Sequence, residues 1–167
     1  ERTKNRVLAS KKVSNQEALI LFGFLISICF ILLLMLGFKI ILLTVFSLAL
    51  LILYPLTKRY FKVPQLILGM AFGSSIPMVF VLEKGFIDSN CILLYILTII
   101  WAIVYDTYYA MADKDDDKKI GIKSSAIFFG KNDIAYSLNL HFVVIIGFIL
   151  LGLMNSYTFI YYLFVGI

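Results

Sequence analysis

Long apolar runs alternate with short charged segments along this chain. Four runs without a charged residue approach or reach the length of a membrane span, and a fifth is about twice as long. These runs cover residues 18–38, 40–57, 63–82, 89–105 and 134–167, the last of them interrupted at Met154-Asn155-Ser156. A helix needs about 20 residues to cross a hydrocarbon core of about 30 Å. The pattern therefore predicts an all-α fold, a polytopic transmembrane helical bundle.

Prolines and charges set the predicted boundaries of the spans. We expect the first span over residues 18–36, a tight turn at 37–39, and a second span that Pro55 ends or bends near Tyr54. A loop at 57–62 leads into a third span, which begins at Pro64, is packed through Gly69 and Gly73, and is kinked by Pro77. The fourth span runs into an acidic segment, a loop covers 118–131, the fifth span covers 134–153, and a sixth begins near residue 157.

Charge is distributed unevenly between the loops. The chain is 62% hydrophobic and 15% charged, with a formal charge of +5, which is far from the usage of soluble domains. All but two of its 15 Lys and Arg residues fall in alternate loops, the exceptions being Lys39 and Lys84. This asymmetry is expected between cytoplasmic and external loops, so we take the positive charge as a signal of topology and not of nucleic-acid binding.

Carboxylates gather where the fourth span meets the acidic segment. On one continuous helix, Asp106, Asp113 and Asp117 would fall within roughly 40° of one another, with Tyr109 at the edge of the stripe. Carboxylate oxygens are ligands that Mg²⁺ prefers, and bound Mg²⁺ often bridges to substrate phosphates. A charge inside an apolar run is costly, which makes Asp106 a functional candidate. We therefore predict a metal site at Asp113 and Asp117, and an enzyme that handles a lipid pyrophosphate.

The neighbouring residues leave alternatives open. Asp116 is ambiguous as a metal ligand, and Asp115 on the opposite face is assigned to a solvated, mixed-charge loop. Aligned carboxylates would also suit a proton relay or an ion site in a transporter. His141 inside the fifth span is either a base or, more often, a satisfied polar group. Two cysteines, at positions 29 and 91, are expected to be small packing residues and not a disulfide.

Basic residues lie on the same predicted side of the membrane as the aspartates. Lys58 and Arg59 are either topological charges or ligands of a pyrophosphate. The second interpretation is favoured by the preceding Tyr54-Pro55 and by Gln65, a polar group at the start of an apolar helix. Carboxylates with metal would hold the pyrophosphate from one direction, and Lys and Arg from another.

Three stretches of the chain resemble the UbiA superfamily of prenyltransferases. Residues 105–130, which read YDTYYAMADKDDDKKIGIKSSAIFFG, resemble its second aspartate-rich motif and the loop after it. Residues 54–78 are similar to its middle region, and residues 2–10 to the segment after its first aspartate-rich motif, with Val7 where proline is usual. The resemblance implies nine spans around a central cavity. Residues 1–167 would then form one partial domain with about spans three to seven and the start of the eighth, a fragment that lacks both ends and is inactive alone.

The resemblance also implies a reaction and roles for residues. The branch it favours, from the Asp-Thr-x-Tyr-Ala-Met and Tyr-Pro-x-x-Lys-Arg runs, transfers a polyprenyl group from its diphosphate to 4-hydroxybenzoate, ortho to the phenol, in ubiquinone synthesis. Its substrates would be these two compounds. The enzyme would lie in a bacterial or mitochondrial inner membrane, with its site facing the cytoplasm or the matrix. No protein partner is evident. The implied roles are Mg²⁺ ligands (Asp113, Asp117, Asp116), diphosphate ligands (Arg2, Arg6, Lys58, Arg59) and catalytic residues (Asp106, Tyr109).

Other functions remain as alternatives. Further branches of the superfamily make menaquinone, haem O or chlorophyll. An ion-coupled transporter would also bury carboxylates, but it should show repeated halves or discontinuous helices, and the sequence shows no repeat. A membrane scaffold without catalysis would leave Asp106 unexplained.

Overall fold

A computed structural model describes residues 6–165, and within that range the secondary structure is helical, without strands. The helices are α1 (Asn15–Met35), α2 (Phe38–Tyr60), α3 (Gln65–Gly73), α4 (Ser75–Lys84), α5 (Ser89–Ala112), α6 (Lys114–Lys119), α7 (Ser125–Phe129), α8 (Asp133–Met154) and α9 (Phe159–Val165). A 3₁₀ turn, Gly130–Asn132, joins α7 to α8.

Within residues 6–165, five helical segments are long and apolar enough to cross a membrane. They are Asn15–Met35, Phe38–Tyr60, Gln65–Lys84, Ser89–Ala112 and Ser125–Met154. Large apolar side chains are exposed along all five, as expected where lipid replaces water. The prediction of a polytopic all-α membrane protein is confirmed, as is the interruption of the last apolar run, where α8 ends at Met154 and α9 begins at Phe159.

The chain divides into two compact units, Glu1–Ile41 and Leu42–Ile167. In the first unit, a capping box starts α1: the Ser14 hydroxyl accepts from the Glu17 amide at 3.2 Å, and the Ser14 amide donates to the Glu17 carboxylate at 2.8 Å. In the second unit, α5 is central and packs mainly on α3 and α8. The predicted single domain over residues 1–167 stays a prediction.

Small residues allow the helices around α5 to approach closely. A Cβ added at Gly69 of α3 would lie 2.9 Å from the carbonyl oxygen of Ile99, and one added at Gly73 would lie 3.0 Å from the Tyr95 ring. A Cβ at Gly147 of α8 would overlap the side chain of Leu97. The predicted close packing through Gly69 and Gly73 is therefore confirmed.

The prediction that α2 ends or bends near Tyr54, with a loop at 57–62, is wrong at its boundaries. The helix runs through Pro55 to Tyr60 and carries Lys58 and Arg59 in its last turn. Proline removes one backbone hydrogen bond, yet a helix that leaves the membrane still satisfies more backbone groups than a loop does. Two cations in the last turn also complement the partial negative charge there. The basic pair is thus helical.

The third span is interrupted at Ser74, between α3 and α4. Pro77 lies in the first turn of α4 and lacks the N–H that would pair with the carbonyl of Gly73. The Ser74 hydroxyl donates to the Ala71 carbonyl at 2.6 Å and is hydrogen-bonded to Ser47 at 2.6 Å. The helix break that Pro77 was predicted to cause is present, and it lies at Ser74, about one turn before the proline.

The prediction that one continuous helix carries Asp106, Asp113 and Asp117 is wrong. Helix α5 ends at Ala112, Asp113 has φ −100° and ψ 4°, and Asp117 belongs to the separate α6. After Ala112 the sequence offers no apolar face to pack, and Asp side chains favour helix ends over helix interiors. The loop predicted at 118–131 is also partly helical, because the Ser124 hydroxyl caps α7.

Candidate functional site

Asp106 lines a cavity of about 310 Å³ on the surface of α5. The remaining lining side chains are apolar or aromatic: Leu68, Phe72, Trp101, Ala102 and Tyr105. Asp106 itself is half-buried. The structure therefore places this carboxylate at the wall of an apolar cavity.

Four aromatic rings form a row along this side of α5. Phe72 and Trp101 have ring centroids 6.4 Å apart, Trp101 and Tyr105 are stacked at 5.3 Å, and Tyr105 and Tyr109 are 5.1 Å apart. The hydroxyls of Tyr105 and Tyr109 are hydrogen-bonded at 3.3 Å. Tyr109 is thus connected to the cavity through Tyr105. Ring faces of this kind attract cations and apolar ligands.

Lys58 connects the Asp106 region to the acidic segment. Its Nζ lies 5.2 Å from the centre of the Tyr54 ring, and the phenol of Tyr54 is within electrostatic range of the Asp106 carboxylate. Lys58 is also within electrostatic range of Asp117. Helices α2, α5 and α6 thus bring Lys58, Asp106 and Asp117 to the same end of the second unit.

The acidic segment crowds negative charge around Asp117. Burial raises the pKa of the Asp117 carboxyl above its usual value, the positive charge of Lys58 opposes that rise, and the carboxylates of Asp113 and Asp116 add to it. A carboxylate with like charges nearby is stabilised when a cation binds. The electrostatics of Asp117 therefore suit a metal ligand.

Two other aspartates of α6 face solvent. The side chain of Asp115 is 90% exposed and lies 3.7 Å from Lys118, so its assignment to a solvated position is confirmed. Asp116 is 84% exposed and pairs with Lys119 at 2.9 Å. Its role as a metal ligand stays a prediction.

The carboxylates of Asp113 and Asp117 fit Mg²⁺ as part of its coordination, not as a complete site. Among the residues that the structure describes, no three His, Cys, Asp or Glu side chains lie close enough together to hold a metal ion. Mg²⁺ is commonly held by one or two carboxylates, with waters and substrate phosphates completing its coordination. Asp113 and Asp117 match such a partial set in donor type.

The predicted basic ligands are placed unequally. Lys58 is half-buried beside the acidic segment, and Arg59 is exposed in the same turn of α2. Arg6 is exposed in the first unit, before α1. Arg2 lies outside the described residues.

Sequence reasoning missed Lys123, which ties the loop after α6 to the end of α2. Its backbone N–H donates to the carbonyl of Lys58 at 2.9 Å, and its Nζ donates to the carbonyl of Tyr60 at 3.1 Å. The last carbonyls of a helix lack partners within the helix. Lys123 supplies them, and so fixes the turn that carries Lys58.

A buried polar group holds the same loop against α3 and α5. The Gln65 side-chain oxygen accepts from the Ser125 amide at 3.0 Å, and the Ser125 hydroxyl is hydrogen-bonded to Thr107 at 2.5 Å. All three residues are buried. Gln65 could be noticed in the sequence as a polar residue in an apolar helix, whereas Thr107 and Ser125 carry no distinguishing signal.

The contact of Lys114 was also missed, because the sequence around Lys114 suggests only a topological charge. Its Nζ donates to the Asp133 carboxylate at 2.6 Å and to the carbonyl of Gly130. This ion pair joins the start of α6 to the start of α8.

His141 and the cysteines contribute no described contact to this region. His141 is exposed on α8, so its role stays open. Cys29 and Cys91 are both free thiols. Cys91 is buried, as expected of a packing residue, whereas Cys29 is exposed on α1, so the packing prediction is wrong for that residue.

Comparison with known families decides the assignment. The UbiA prenyltransferase family matches residues 1–167. The chain belongs to this family. A UbiA protein with five apolar, span-length helices is an integral membrane protein, and the resemblance carried by the aspartate-rich segment is confirmed.

Curated relatives of this UbiA chain carry the name 4-hydroxybenzoate octaprenyltransferase. The one from Enterobacter sp. (strain 638) is 44% identical over 162 residues, which are 97% of this chain and 56% of the relative. The one from Photobacterium profundum is 44% identical over 164 residues, 98% of this chain and 57% of the relative. The chain thus spans about half the length of the relatives it matches. No solved structure matches it.

Proposed function

We propose that this UbiA chain is part of an enzyme that transfers a polyprenyl group from polyprenyl diphosphate to the ring carbon of 4-hydroxybenzoate ortho to the phenol, in ubiquinone synthesis. The names of its relatives support the substrate class. The observation that carries the proposal is the attachment of the loop after the acidic segment to the end of α2, where the Lys123 amide donates to the Lys58 carbonyl at 2.9 Å, together with the apolar cavity that Asp106 lines.

Charged residues in this arrangement are suited to holding a diphosphate. Asp113 and Asp117, with Asp116 nearby, would hold Mg²⁺, which neutralises the diphosphate and so favours its departure. Lys58 and Arg59 would donate charge-assisted hydrogen bonds to the leaving pyrophosphate. Arg2 and Arg6 are proposed to add to this set.

The cavity residues would stabilise and shield the allylic cation that forms. When the allylic C–O bond breaks, pyrophosphate would leave with the electron pair, and the electron-rich ring would attack the carbon. The attacked ring carbon would then lose its proton to the released pyrophosphate. The apolar wall would keep water from the cation. The aromatic faces from Trp101 to Tyr109 would stabilise its positive charge. Asp106 would place a negative charge beside the allylic cation. These are the roles that we assign to Asp106, as a charge, and to Tyr109, as an aromatic face.

The surroundings follow from the same proposal. We place the enzyme in a bacterial or mitochondrial inner membrane, with the acidic segment facing cytoplasm or matrix, where the positively charged loops lie. Its partners would be the two substrates and the bilayer, without nucleic acid or an obligate protein partner.

Substitution of the acidic segment tests the proposal. At its natural full length, the protein in membranes should prenylate labelled 4-hydroxybenzoate when Mg²⁺ is present. Asp113→Ala or Asp117→Ala should lower the rate roughly a hundredfold or more, because the diphosphate charge is no longer neutralised, while the protein still inserts.

Asp115→Ala is the matched control, since its side chain faces solvent on the same short helix. It should retain nearly full activity. Full activity in Asp113→Ala or Asp117→Ala would remove the metal assignment, and a wild type without transfer to 4-hydroxybenzoate would remove the substrate.

A further inference from the structure

Lys114 makes an ion pair unlike those of the other lysines in α6. Its Nζ lies 2.6 Å from the carboxylate of Asp133, and the two side chains are only 18% and 13% exposed. It also donates to the backbone carbonyl of Gly130. The contact therefore reaches from α6 to the α7–α8 junction.

The other two lysines of α6 form pairs within the helix. Lys118 pairs with Asp115 and Lys119 with Asp116, three residues earlier in each case, and all four side chains are more than half exposed. Exposed pairs of this kind contribute little to stability or position. Lys114 is held differently, in a part-buried contact between elements.

We propose that Lys114 is a positioning residue for the divalent cation site: by tying α6 to the start of α8, it fixes where Asp113 and Asp117 present their carboxylates. This inference rests on the proposed function for the identity of the metal ligands. Lys114 itself would touch neither metal nor substrate.

Helix α6 requires such support because it cannot hold itself in place. It has six residues, too few for a stable isolated helix, and its sequence KDDDKK offers no apolar face to pack. After its end, the Lys123 amide bonds to the Lys58 carbonyl at 2.9 Å. Lys114 supplies the matching constraint at its beginning, next to Asp113.

The direction in which metal affinity changes when Lys114 is replaced separates a positioning role from a simple effect of its charge. As a nearby positive charge, Lys114 should repel a cation, so its removal would tighten metal binding. As a positioning residue, it holds the ligands in place, and loss of such outer partners typically weakens metal affinity about tenfold to a hundredfold. The two roles therefore predict changes of opposite sign.

The experiment measures Mn²⁺ binding by electron paramagnetic resonance to the purified full-length protein in lipid nanodiscs. Lys114→Met should raise the dissociation constant for Mn²⁺ about tenfold per folded molecule. Lys114→Arg should restore it, because the guanidinium can reach the same acceptors. Lys118→Met, on the same helix but exposed, is the matched control and should bind Mn²⁺ as tightly as the wild type or slightly more tightly.

A second variant shows whether the ion pair carries the effect. Asp133→Ala should weaken Mn²⁺ binding to a similar extent, and the Lys114→Met/Asp133→Ala double variant should be no worse than either single variant. Additive losses would contradict a shared contact.

The outcomes separate this inference from the proposed function. Unchanged or tighter Mn²⁺ binding by Lys114→Met overturns the positioning role, whatever the prenyl transfer activity is. Mn²⁺ binding that depends on Lys114 in a protein that does not prenylate 4-hydroxybenzoate supports the positioning role and overturns the proposed substrate. A wild type that binds no Mn²⁺ overturns both.

Discussion

Individual residues in this chain owe their chemistry to neighbours that are distant in sequence. Asp117 illustrates this: its carboxyl is affected by burial, by Lys58 from α2, and by Asp113 and Asp116. The sequence could predict that these residues belong to one site, because charge asymmetry places their segments on one side of the membrane. It could not predict which lysine approaches which aspartate, since that depends on helix packing.

Arg59 provides a prediction at this scale. Arg59→Ala should raise the KM for polyprenyl diphosphate roughly tenfold to a hundredfold, because a charge-assisted contact to the pyrophosphate is lost, and leave the KM for 4-hydroxybenzoate nearly unchanged. Steady-state kinetics with each substrate varied in turn would measure this. Lys131→Ala, at an exposed cation in the 3₁₀ turn between α7 and α8 on the same predicted side, serves as the control. Equal changes in both KM values would contradict the role of Arg59.

Gln65 provides a second prediction. Gln65→Leu should lower the free energy of unfolding by about 1–3 kcal/mol, because the Ser125 amide would remain buried without its acceptor. Denaturant titration in detergent micelles would measure the loss. Gln16→Leu, at an exposed position of α1, should change stability little. If both substitutions had the same effect, the buried hydrogen bond would not be important.

At the scale of elements, apolar length predicted the spans well but not their ends. Helices α1 and α8 lie within a few residues of their predicted bounds, because about 20 apolar residues in lipid leave few alternatives. The ends of α2 and α5 were mispredicted where charge begins. There Pro55 proved compatible with a helix, and Asp113 ended one. Local preferences are weak at such boundaries, and contacts such as that of Lys123 decide them.

The contact between α3 and α5 leads to a prediction about packing. Gly69→Ala should destabilise the protein by about 1–3 kcal/mol, because the new Cβ would lie 2.9 Å from the backbone oxygen of Ile99 and the helices would have to separate. Thermal unfolding in detergent would report the change. Gly23→Ala, which meets nothing within 4 Å, should be neutral or gain up to about 1 kcal/mol. A Gly69→Ala protein as stable as the wild type would show that α3 can shift freely.

For the whole molecule, the arrangement of charges predicts orientation. Lys118 in α6 should face the cytoplasm or matrix, and Glu83 near the end of α4 should face the other side. In a variant without Cys29 and Cys91, a cysteine at Glu83→Cys should react with a membrane-impermeant maleimide added to intact cells.

Lys118→Cys should react with the same reagent only after the membrane is opened or inverted. Labelling of both positions from the same side would reverse or abolish the proposed topology. The experiment needs no substrate, so it tests the orientation independently of catalysis.

The helical state of Lys58 and Arg59 has a consequence for how chain length is tolerated. Consecutive side chains on a helix point about 100° apart, so each of the two cations has its own direction. Inserting a single residue between Pro55 and Lys58 would swing the first cation away from Asp117 and exchange it for another side chain. A flexible linker would accommodate such an insertion. In a helix, only an insertion close to a whole number of turns would return Lys58 to its present direction.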